Sequence, residues 1–234
     1  MKSPLKLNDL TWKEVKEYLL KRKDIILPIG SVEEHGYHLP LSTDGDIALG
    51  IAHKLSEDTG VVVAPPIWYG VSNTTKAYTG TTMVNFDTLK TYTRDILSSI
   101  EGNGFKVVYI ISGHLSNSQI SAIKEAARAV EGIESYLLDF SKIDISDILE
   151  TPPFHACEAE TSLMLYLKPG KVKMEKAVDE EIVTERFAIK GGLKKTKSGV
   201  FGSPTKATYA KGEKIFERIT EELKEFILSK ELGR

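Results

Sequence analysis

Short, continuous apolar runs alternate along the chain with longer segments in which apolar residues recur every three or four positions. The apolar runs lie at residues 24–30, 61–66, 106–112 and 135–140 and are rich in β-branched residues. Strands covered on both faces show this pattern, because neither face needs polar side chains. The runs therefore predict the strands of a mainly parallel sheet.

Segments with helical periodicity separate these strands. The predicted helices cover residues 44–60, 86–104, 116–132 and 209–232, and each of the first three ends on a glycine. Glycine is common just past a helix, because it readily adopts the left-handed conformation needed there. The alternation of strands and helices predicts one domain over residues 1–234 with an α/β fold, a three-layer sandwich around a mainly parallel central sheet.

The charge balance excludes several classes of partner. The chain has 31 basic and 33 acidic residues and a formal net charge of −2. Because surfaces that bind nucleic acid or anionic membranes are rich in Lys and Arg, we expect neither partner. No run approaches the roughly 18 apolar residues of a membrane-spanning helix, and the first residues lack an apolar leader. With Cys157 as the single cysteine, these features predict a cytoplasmic protein.

The stretch GSVEEHGYHLPLSTD, residues 30–44, is dense in potential metal ligands. Glu33 and His35 follow the first predicted strand, and Asp44 opens the next helix. His114 follows the third predicted strand by two residues. Because ligands of open α/β sheets bind beyond the carboxyl ends of the strands, we expect these side chains to converge at one rim. Carboxylates and imidazoles together are typical ligands of zinc, manganese or iron.

The alternative interpretation is an ordinary polar loop, in which the histidines are solvated and Asp44 only caps a helix. In the metal-site interpretation, by contrast, an extended backbone would place Glu33 and His35 on one face and turn Glu34 away from it. Any one of these residues alone favours the polar loop. Their coincidence at two strand ends favours the metal site.

A second cluster lies in FHACEAETS, residues 154–162. His155, Glu158 and Glu160 flank the start of an apolar helical run that is predicted to begin near Ala159. A carboxylate at a helix N-terminus is stabilised by the free N–H groups there, which by itself explains Glu160. His155 adds a ring that titrates near neutral pH and therefore suits proton transfer.

Four segments together resemble the creatininase (creatinine amidohydrolase) family, in matching order across most of the chain. They are GSVEEHGYHLPLSTD, ISGHLSN, HACEAETS and SGVFGSPTKATYAKG (198–212). The first is highly specific and the others moderately so. The resemblance implies a metal-dependent amidohydrolase or deformylase that has an α/β sandwich fold, acts on a small-molecule substrate and forms a homo-oligomer, commonly a hexamer.

The resemblance also implies roles for individual residues. The metal ligands would be Glu33, His35, Asp44 and His114, and His155 would be catalytic. Asp44 would bridge two ions, which in binuclear hydrolases lie ~3.5–4 Å apart. The implied cofactor is one or two divalent ions per subunit, zinc, manganese or iron.

The chain also departs from creatininase itself. Ser116 stands where creatininase has a second metal-binding glutamate, so either one ion binds tightly or another carboxylate, for which Glu158 is the candidate, replaces it. Leu115 stands where creatininase has a substrate-contacting tyrosine. Residues 151–155 lack the Trp-Asp pair that precedes the corresponding histidine. These differences argue against creatinine as the substrate.

The predicted reaction is cleavage of a carbon–nitrogen bond in a small amide, lactam or formamide by metal-activated water. Glu158 or Glu160 would accept the water proton, and His155 would stabilise the oxyanion or protonate the leaving nitrogen.

The stretch 68–85 is rich in Gly, Thr and aromatic residues and suits a loop that lines a pocket, with a packed surface loop as the alternative. The predicted substrate contacts are Ser72 and Tyr78 in this loop, together with Leu115.

Two other classes of function stay open. Ser116 favours a catalytically degenerate family member that serves as a binding or scaffold protein, whereas the retained ligands favour an enzyme. A serine hydrolase using Ser112 or Ser116 beside His114 is disfavoured, because the Gly-x-Ser-x-Gly elbow is absent. Inhibition by a chelator would separate the metalloenzyme from the serine hydrolase. No turnover of any amide by the folded protein would favour the scaffold.

Overall fold

The computed structural model of the protein describes residues 3–181 and 196–232. Within these ranges the strands are β1 (Asp24–Ile29), β2 (Val62–Val63), β3 (Val107–Ser112) and β4 (Glu134–Leu137). The α-helices are α1 (Trp12–Leu19), α2 (Thr43–Thr59), α3 (Phe86–Gly102), α4 (Asn117–Arg128), α5 (Glu158–Leu167) and α6 (Tyr209–Leu232).

The strands form one parallel sheet in the order β2-β1-β3-β4. Every residue of β1 and β3 is buried, as expected for central strands covered on both faces. The register pairs Ile25 with Val108 and Ile29 with Ser112. Because β1 and β3 end level with each other, the residues that follow them reach the same rim of the sheet.

Helices cover both faces of the sheet. On one face α2, α5 and α6 enclose a core that includes Ile47, Ile51, Leu163, Ile215 and Ile219. On the other face α3 and α4 contribute Leu89, Leu97 and Ile123, and α1 packs beside them through Val15 and Tyr18. This arrangement confirms the predicted α/β sandwich with a parallel central sheet.

The final helix, α6, buries one stripe of its surface. Its buried residues Ile215, Ile219, Leu223 and Ile227 recur every four positions and therefore lie on one face. Among residues 3–181 and 196–232, none of the helices combines the length and the apolar character needed to cross a membrane.

Helix α1 was not predicted, and strand β2 is shorter than predicted. The Thr11 hydroxyl accepts the Glu14 N–H and the Glu14 carboxylate accepts the Thr11 N–H, a complete capping box. No residue of α1 is fully buried, and the helix packs against the core through the partly buried Val15, Tyr18 and Leu19. Strand β2 stops at Val63 instead of residue 66, because Pro65 and Pro66 have no N–H to donate to a neighbouring strand.

Glycines allow the start of α2 to lie directly against the ends of β1 and β3. A Cβ atom on Gly30 would lie 2.5 Å from the Cα atom of Gly45. A Cβ atom on Gly113 would lie 1.9 Å from the carbonyl oxygen of Asp44. These backbone contacts place the first turn of α2 at the rim where the two central strands end.

Candidate metal centre

The four side chains predicted as ligands from the strand ends lie together at this rim. The Nε2 atom of His35 is 3.1 Å from Asp44 Oδ1. The Nδ1 atom of His114 is 2.8 Å from Glu33 Oε1 and 3.4 Å from Asp44 Oδ2. All four residues are buried, and His114 is the most exposed of them at 7%. The opening stretch is therefore not a solvated polar loop.

Backbone carbonyls set the orientation of both histidine rings. His35 Nδ1 lies 3.1 Å from the Glu33 carbonyl oxygen, and His114 Nε2 lies 3.2 Å from the Val71 carbonyl oxygen. Because a carbonyl only accepts hydrogen bonds, each of these ring nitrogens carries the proton. In the neutral form of each ring, the other nitrogen would present a lone pair to the cluster, as in metal-bound histidines.

Two carboxylate oxygens in the cluster lack hydrogen bonds. Glu33 Oε2 accepts the Thr75 hydroxyl at 2.6 Å, whereas Glu33 Oε1 and Asp44 Oδ2 are buried without a hydrogen bond from residues 3–181 or 196–232. These are the two oxygens that His114 Nδ1 approaches. Buried acceptors normally find a donor. Lone pairs that converge without a hydrogen-bond donor suit the binding of a cation. Carboxylate oxygens and imidazole nitrogens together suit zinc or manganese.

The electrostatics of the cluster point the same way. Burial opposes the charged form of His114, but the adjacent carboxylates of Asp44 and Glu33 outweigh it and raise its pKa to about 10. The pKa of His35 is likewise raised by Asp44 against the effect of burial. Burial raises the pKa of both carboxyl groups, but the histidines outweigh it and lower them. The carboxylates thus favour a positive charge beside them. A divalent cation bound between them would provide that charge.

The second predicted cluster adds His155 and Glu160 to this site. Three overlapping sets of side chains have ligand atoms within 4.8 Å of one another. The sets are Glu33, Asp44 and His114; His35, Asp44 and Glu160; and Glu33, His35 and His155. Burial raises the pKa of Glu160, although His35 and His155 oppose the shift. Glu33, His35 and Asp44 each belong to two of the sets, and the two oxygens of Asp44 face different histidines, Oδ1 towards His35 and Oδ2 towards His114, as in a bridging carboxylate.

Glu158, predicted as the replacement ligand, does not join the cluster in the structure. Its carboxylate accepts the N–H groups of Glu150 and Thr151 and pairs with Lys211 at 2.5 Å. Glu158 and Glu160 are two residues apart on α5, which separates their side chains by about 200° around the helix. Glu160 faces the cluster and Glu158 faces away from it.

Of the three predicted substrate contacts, one lines the cavity beside the cluster and two do not. Ser72 is fully buried against the hydroxyl of Ser31. The Tyr78 hydroxyl donates to the Thr196 carbonyl oxygen at 2.7 Å. Neither residue lines the cavity beside the cluster, whereas Leu115 does. The structure therefore does not support Ser72 or Tyr78 as substrate contacts.

That cavity has a volume of about 1020 Å³. Glu33, His114, His155 and Glu160 line part of it, and Ser116 stands beside them. The Ser116 hydroxyl caps α4 by accepting the Gln119 N–H. Much of the remaining wall is apolar and includes Val71, Leu115, Phe140, Ile143, Leu149 and Phe154. The cluster thus lies in a pocket large enough for a small organic molecule.

Two polar contacts of the site escaped the sequence analysis. Thr75 holds one oxygen of Glu33 from the loop at 68–85. Glu34, expected to turn away, lies 3.2 Å from the Nε2 atom of His155. The alternation of an extended backbone does place Glu34 opposite Glu33. No signal in the sequence shows that the loop carrying His155 packs on that opposite side.

The comparisons with known proteins decide the family. The model of the creatininase family, described as creatinine amidohydrolase, matches residues 8–227. The chain belongs to the creatininase family. It is therefore a hydrolase that acts on carbon–nitrogen bonds, like the peptidase and the amidohydrolase among its relatives.

Several relatives of different activity resemble the chain. A mycofactocin precursor peptide peptidase of Mycolicibacterium smegmatis is 30% identical over 82% of this chain and 79% of its own length. The creatinine amidohydrolase of Pseudomonas putida is 27% identical over 90% of this chain and 91% of its own length. A 3-dehydro-scyllo-inosose hydrolase of Thermotoga maritima is 28% identical over 74% of this chain and 59% of its own length.

Solved structures of creatininase share the fold. One is superimposed with a TM-score of 0.85 at 23% identity and covers 97% of this chain and 98% of its own. A manganese form matches with a TM-score of 0.85, and a variant described as a Zn–Zn type matches with 0.84.

Proposed function

We propose that the protein is a metal-dependent amidohydrolase that uses water to cleave a carbon–nitrogen bond in a small amide, lactam or formamide. The observation that carries this proposal is the pair of buried oxygens, Glu33 Oε1 and Asp44 Oδ2, that converge with His114 Nδ1 without a hydrogen bond. The manganese and Zn–Zn forms among the structural relatives support the choice of metals.

The overlapping sets of ligands favour two ions. Glu33, Asp44 and His114 would hold one ion, and His35 and Asp44 would hold the other, with Asp44 shared and Glu160 next to them. A divalent ion at this site would polarise the substrate carbonyl and lower the pKa of a water molecule.

The residues of the chain would divide the proton transfers. Glu160 lines the cavity and, as a carboxylate, would accept the proton of the attacking water. His155 also lines the cavity, with its Nδ1 atom 3.9 Å from Glu33 Oε1 and its Nε2 atom held by Glu34. His155 Nδ1 would take up the proton released by the water and pass it to the leaving nitrogen, while Nε2 keeps its own proton bonded to Glu34.

The cavity wall argues for a substrate other than creatinine. Leu115 places an apolar side chain beside His114, and Pro152, Pro153 and Phe154 precede His155. These side chains offer few hydrogen bonds to a polar heterocycle. A substrate with an apolar group attached to its amide would bury that group in the same cavity.

A second candidate is cleavage of a peptide bond near the end of an apolar peptide. The volume of about 1020 Å³ exceeds what a compact amide needs. The relative named as a precursor peptide peptidase supports the same possibility. A panel that contains formamides, lactams and short apolar peptides would distinguish the two candidates.

The first experiment is to measure bound metals per subunit by plasma mass spectrometry, with turnover measured on that panel. Protein would be purified without chelator or affinity metal and compared with Asp44→Asn. Asp46→Asn is the matched control, because Asp46 is also a buried carboxylate in the first turn of α2 but pairs with Lys168.

We expect zinc or manganese in the wild type and in Asp46→Asn, and its loss in Asp44→Asn. A chelator should abolish turnover, and added metal should restore it. If the folded wild type takes up no metal even after reconstitution, the proposal is wrong. If it takes up metal but turns over nothing on the panel, the binding or scaffold function gains support.

A further inference from the structure

The side chain of Glu34 meets His155 on the side of the ring that faces away from the ligand cluster. His155 Nε2 lies 3.0 Å from the Glu34 carbonyl oxygen and 3.2 Å from Glu34 Oε1. Both atoms are acceptors, so Nε2 carries the proton and donates to Glu34. The opposite nitrogen, Nδ1, faces Glu33.

We propose that Glu34 is a positioning residue for His155, holding the ring so that Nδ1 faces the ligand cluster. This inference rests on the proposed function, in which His155 transfers a proton. The backbone carbonyl of Glu34 alone can select the tautomer. The carboxylate adds a second, charged acceptor and so restricts rotation of the ring about its bond to Cβ.

The contacts of Glu34 require a carboxylate. Its Oε2 atom accepts the Gly36 N–H at 3.0 Å, while its Oε1 atom faces His155 Nε2. Both partners are donors, and only a carboxylate offers an acceptor on each side. A glutamine would place its NH₂ group against one of the two donors. Because Glu34 is only 6% exposed, water cannot readily replace the lost contact.

Gly199 leaves the space that the Glu34 carboxylate occupies. A Cβ atom on Gly199 would lie 1.7 Å from Glu34 Oε2 and 2.5 Å from its Cδ atom. Gly199 also has a φ of +86°, which favours glycine. The loop at 198–200 thus closes over the carboxylate and keeps it against His155.

The other contacts of His155 leave Nδ1 as its free end. Its ring lies 4.5 Å from the His35 ring and 5.8 Å from the Phe201 ring, measured between centroids. Its backbone exchanges hydrogen bonds with Phe201. Ala156, the next residue, has a φ of +48°, in a region that alanine rarely adopts. The fold therefore tolerates local strain at the point that orients this histidine.

The test compares Glu34→Ala, Glu34→Gln and Gly199→Ala in the zinc-loaded protein. Gly60→Ala is the matched control for Gly199→Ala, because Gly60 has a φ of +77° but no atom of the described part of the chain lies within 4 Å of its added Cβ. Three properties would be measured: bound metal, kcat and KM on the best amide, and the His155 Nε2–H proton resonance, assigned by its absence in His155→Ala.

We expect all three variants to lose ~10–100-fold in kcat with KM and metal content close to the wild type, since loss of an outer partner typically costs that much. The Nε2–H resonance should exchange slowly with solvent in the wild type and in Gly60→Ala, and measurably faster in the three variants, which keep only the Glu34 backbone carbonyl as a well-placed acceptor. When Glu34 is already alanine, adding Gly199→Ala should lower kcat no further than adding Gly60→Ala does.

Wild-type kcat and a protected Nε2–H resonance in Glu34→Ala would overturn the inference. The resonance can be measured whether or not a substrate is known. If it responds as expected but the zinc-loaded wild type turns over no amide, the proposed function fails while the positioning of His155 by Glu34 stands.

Discussion

Replacing Gly113 with alanine should disturb the candidate metal centre without removing any of its side chains. The added Cβ would lie 1.9 Å from the carbonyl oxygen of Asp44 and 3.0 Å from its Cα atom. These are backbone atoms, which cannot rotate away. To restore even a tight 3.0 Å contact, the first turn of α2 and the end of β3 must separate by about 1.1 Å, the difference between 3.0 and 1.9 Å.

That displacement would act on both stability and metal binding. Overpacking of this kind costs about 1–3 kcal/mol, and each kcal/mol lowers Tm by about 2–4 °C in a chain of this length. Asp44 would move relative to His114 by about 1 Å, several times the ~0.2 Å tolerance of metal–ligand distances. The affinity for zinc should therefore fall by at least ~10-fold.

The assay is competition for zinc against a chromophoric chelator, with thermal unfolding of the metal-free protein measured in parallel. Gly102→Ala is the matched control, because no atom lies within 4 Å of its added Cβ at the end of α3. If Gly113→Ala binds zinc and unfolds like Gly102→Ala, the argument that close backbone packing positions Asp44 is refuted.

Three further changes test other parts of the site. His155→Ala should lower kcat by ~10²-fold or more while bound metal, measured by plasma mass spectrometry, stays unchanged. Leu115→Trp should raise KM for amides with bulky apolar groups more than KM for formamide in steady-state kinetics, since Leu115 lines the cavity. Burial raises the pKa of Glu158, but contacts led by Lys211 outweigh it and lower the pKa. The charged group therefore stabilises the fold above its unfolded pKa of about 4.3, and this contribution is lost as the pH falls through the lower folded value. Thermal unfolding should show Glu158→Gln less stable than the wild type at pH 6–7, with the gap closing below about pH 4.

Much of the fold, and the convergence of the four candidate ligands at the strand ends, follow from the local pattern of apolar and polar residues. Continuous apolar runs predict buried parallel strands, and in such a sheet the chain after each strand reaches a common rim. Glu33, His35 and His114 come directly after β1 and β3, and Asp44 opens the following helix. Their convergence was therefore predictable, whereas their roles as ligands stay a proposal.

The choice between Glu158 and Glu160 was not predictable in this way. Both stand in the first turn of α5, and the sequence does not show which side of that turn faces the rim. The packing of α5 against α2 and α6 sets its rotation and turns Glu160 inward. Lys211, at the start of α6, then neutralises Glu158 on the far side.

Glu34 shows the same limit. The sequence alone determined which candidate ligands follow which strand. Side-chain alternation and strand ends depend on neighbouring residues, so a local pattern reveals them. Only the tertiary structure brought the loop with His155, 121 positions further along, against the side of Glu34 that faces away from Glu33. Contacts between distant segments depend on how whole layers pack, and no local periodicity records that packing.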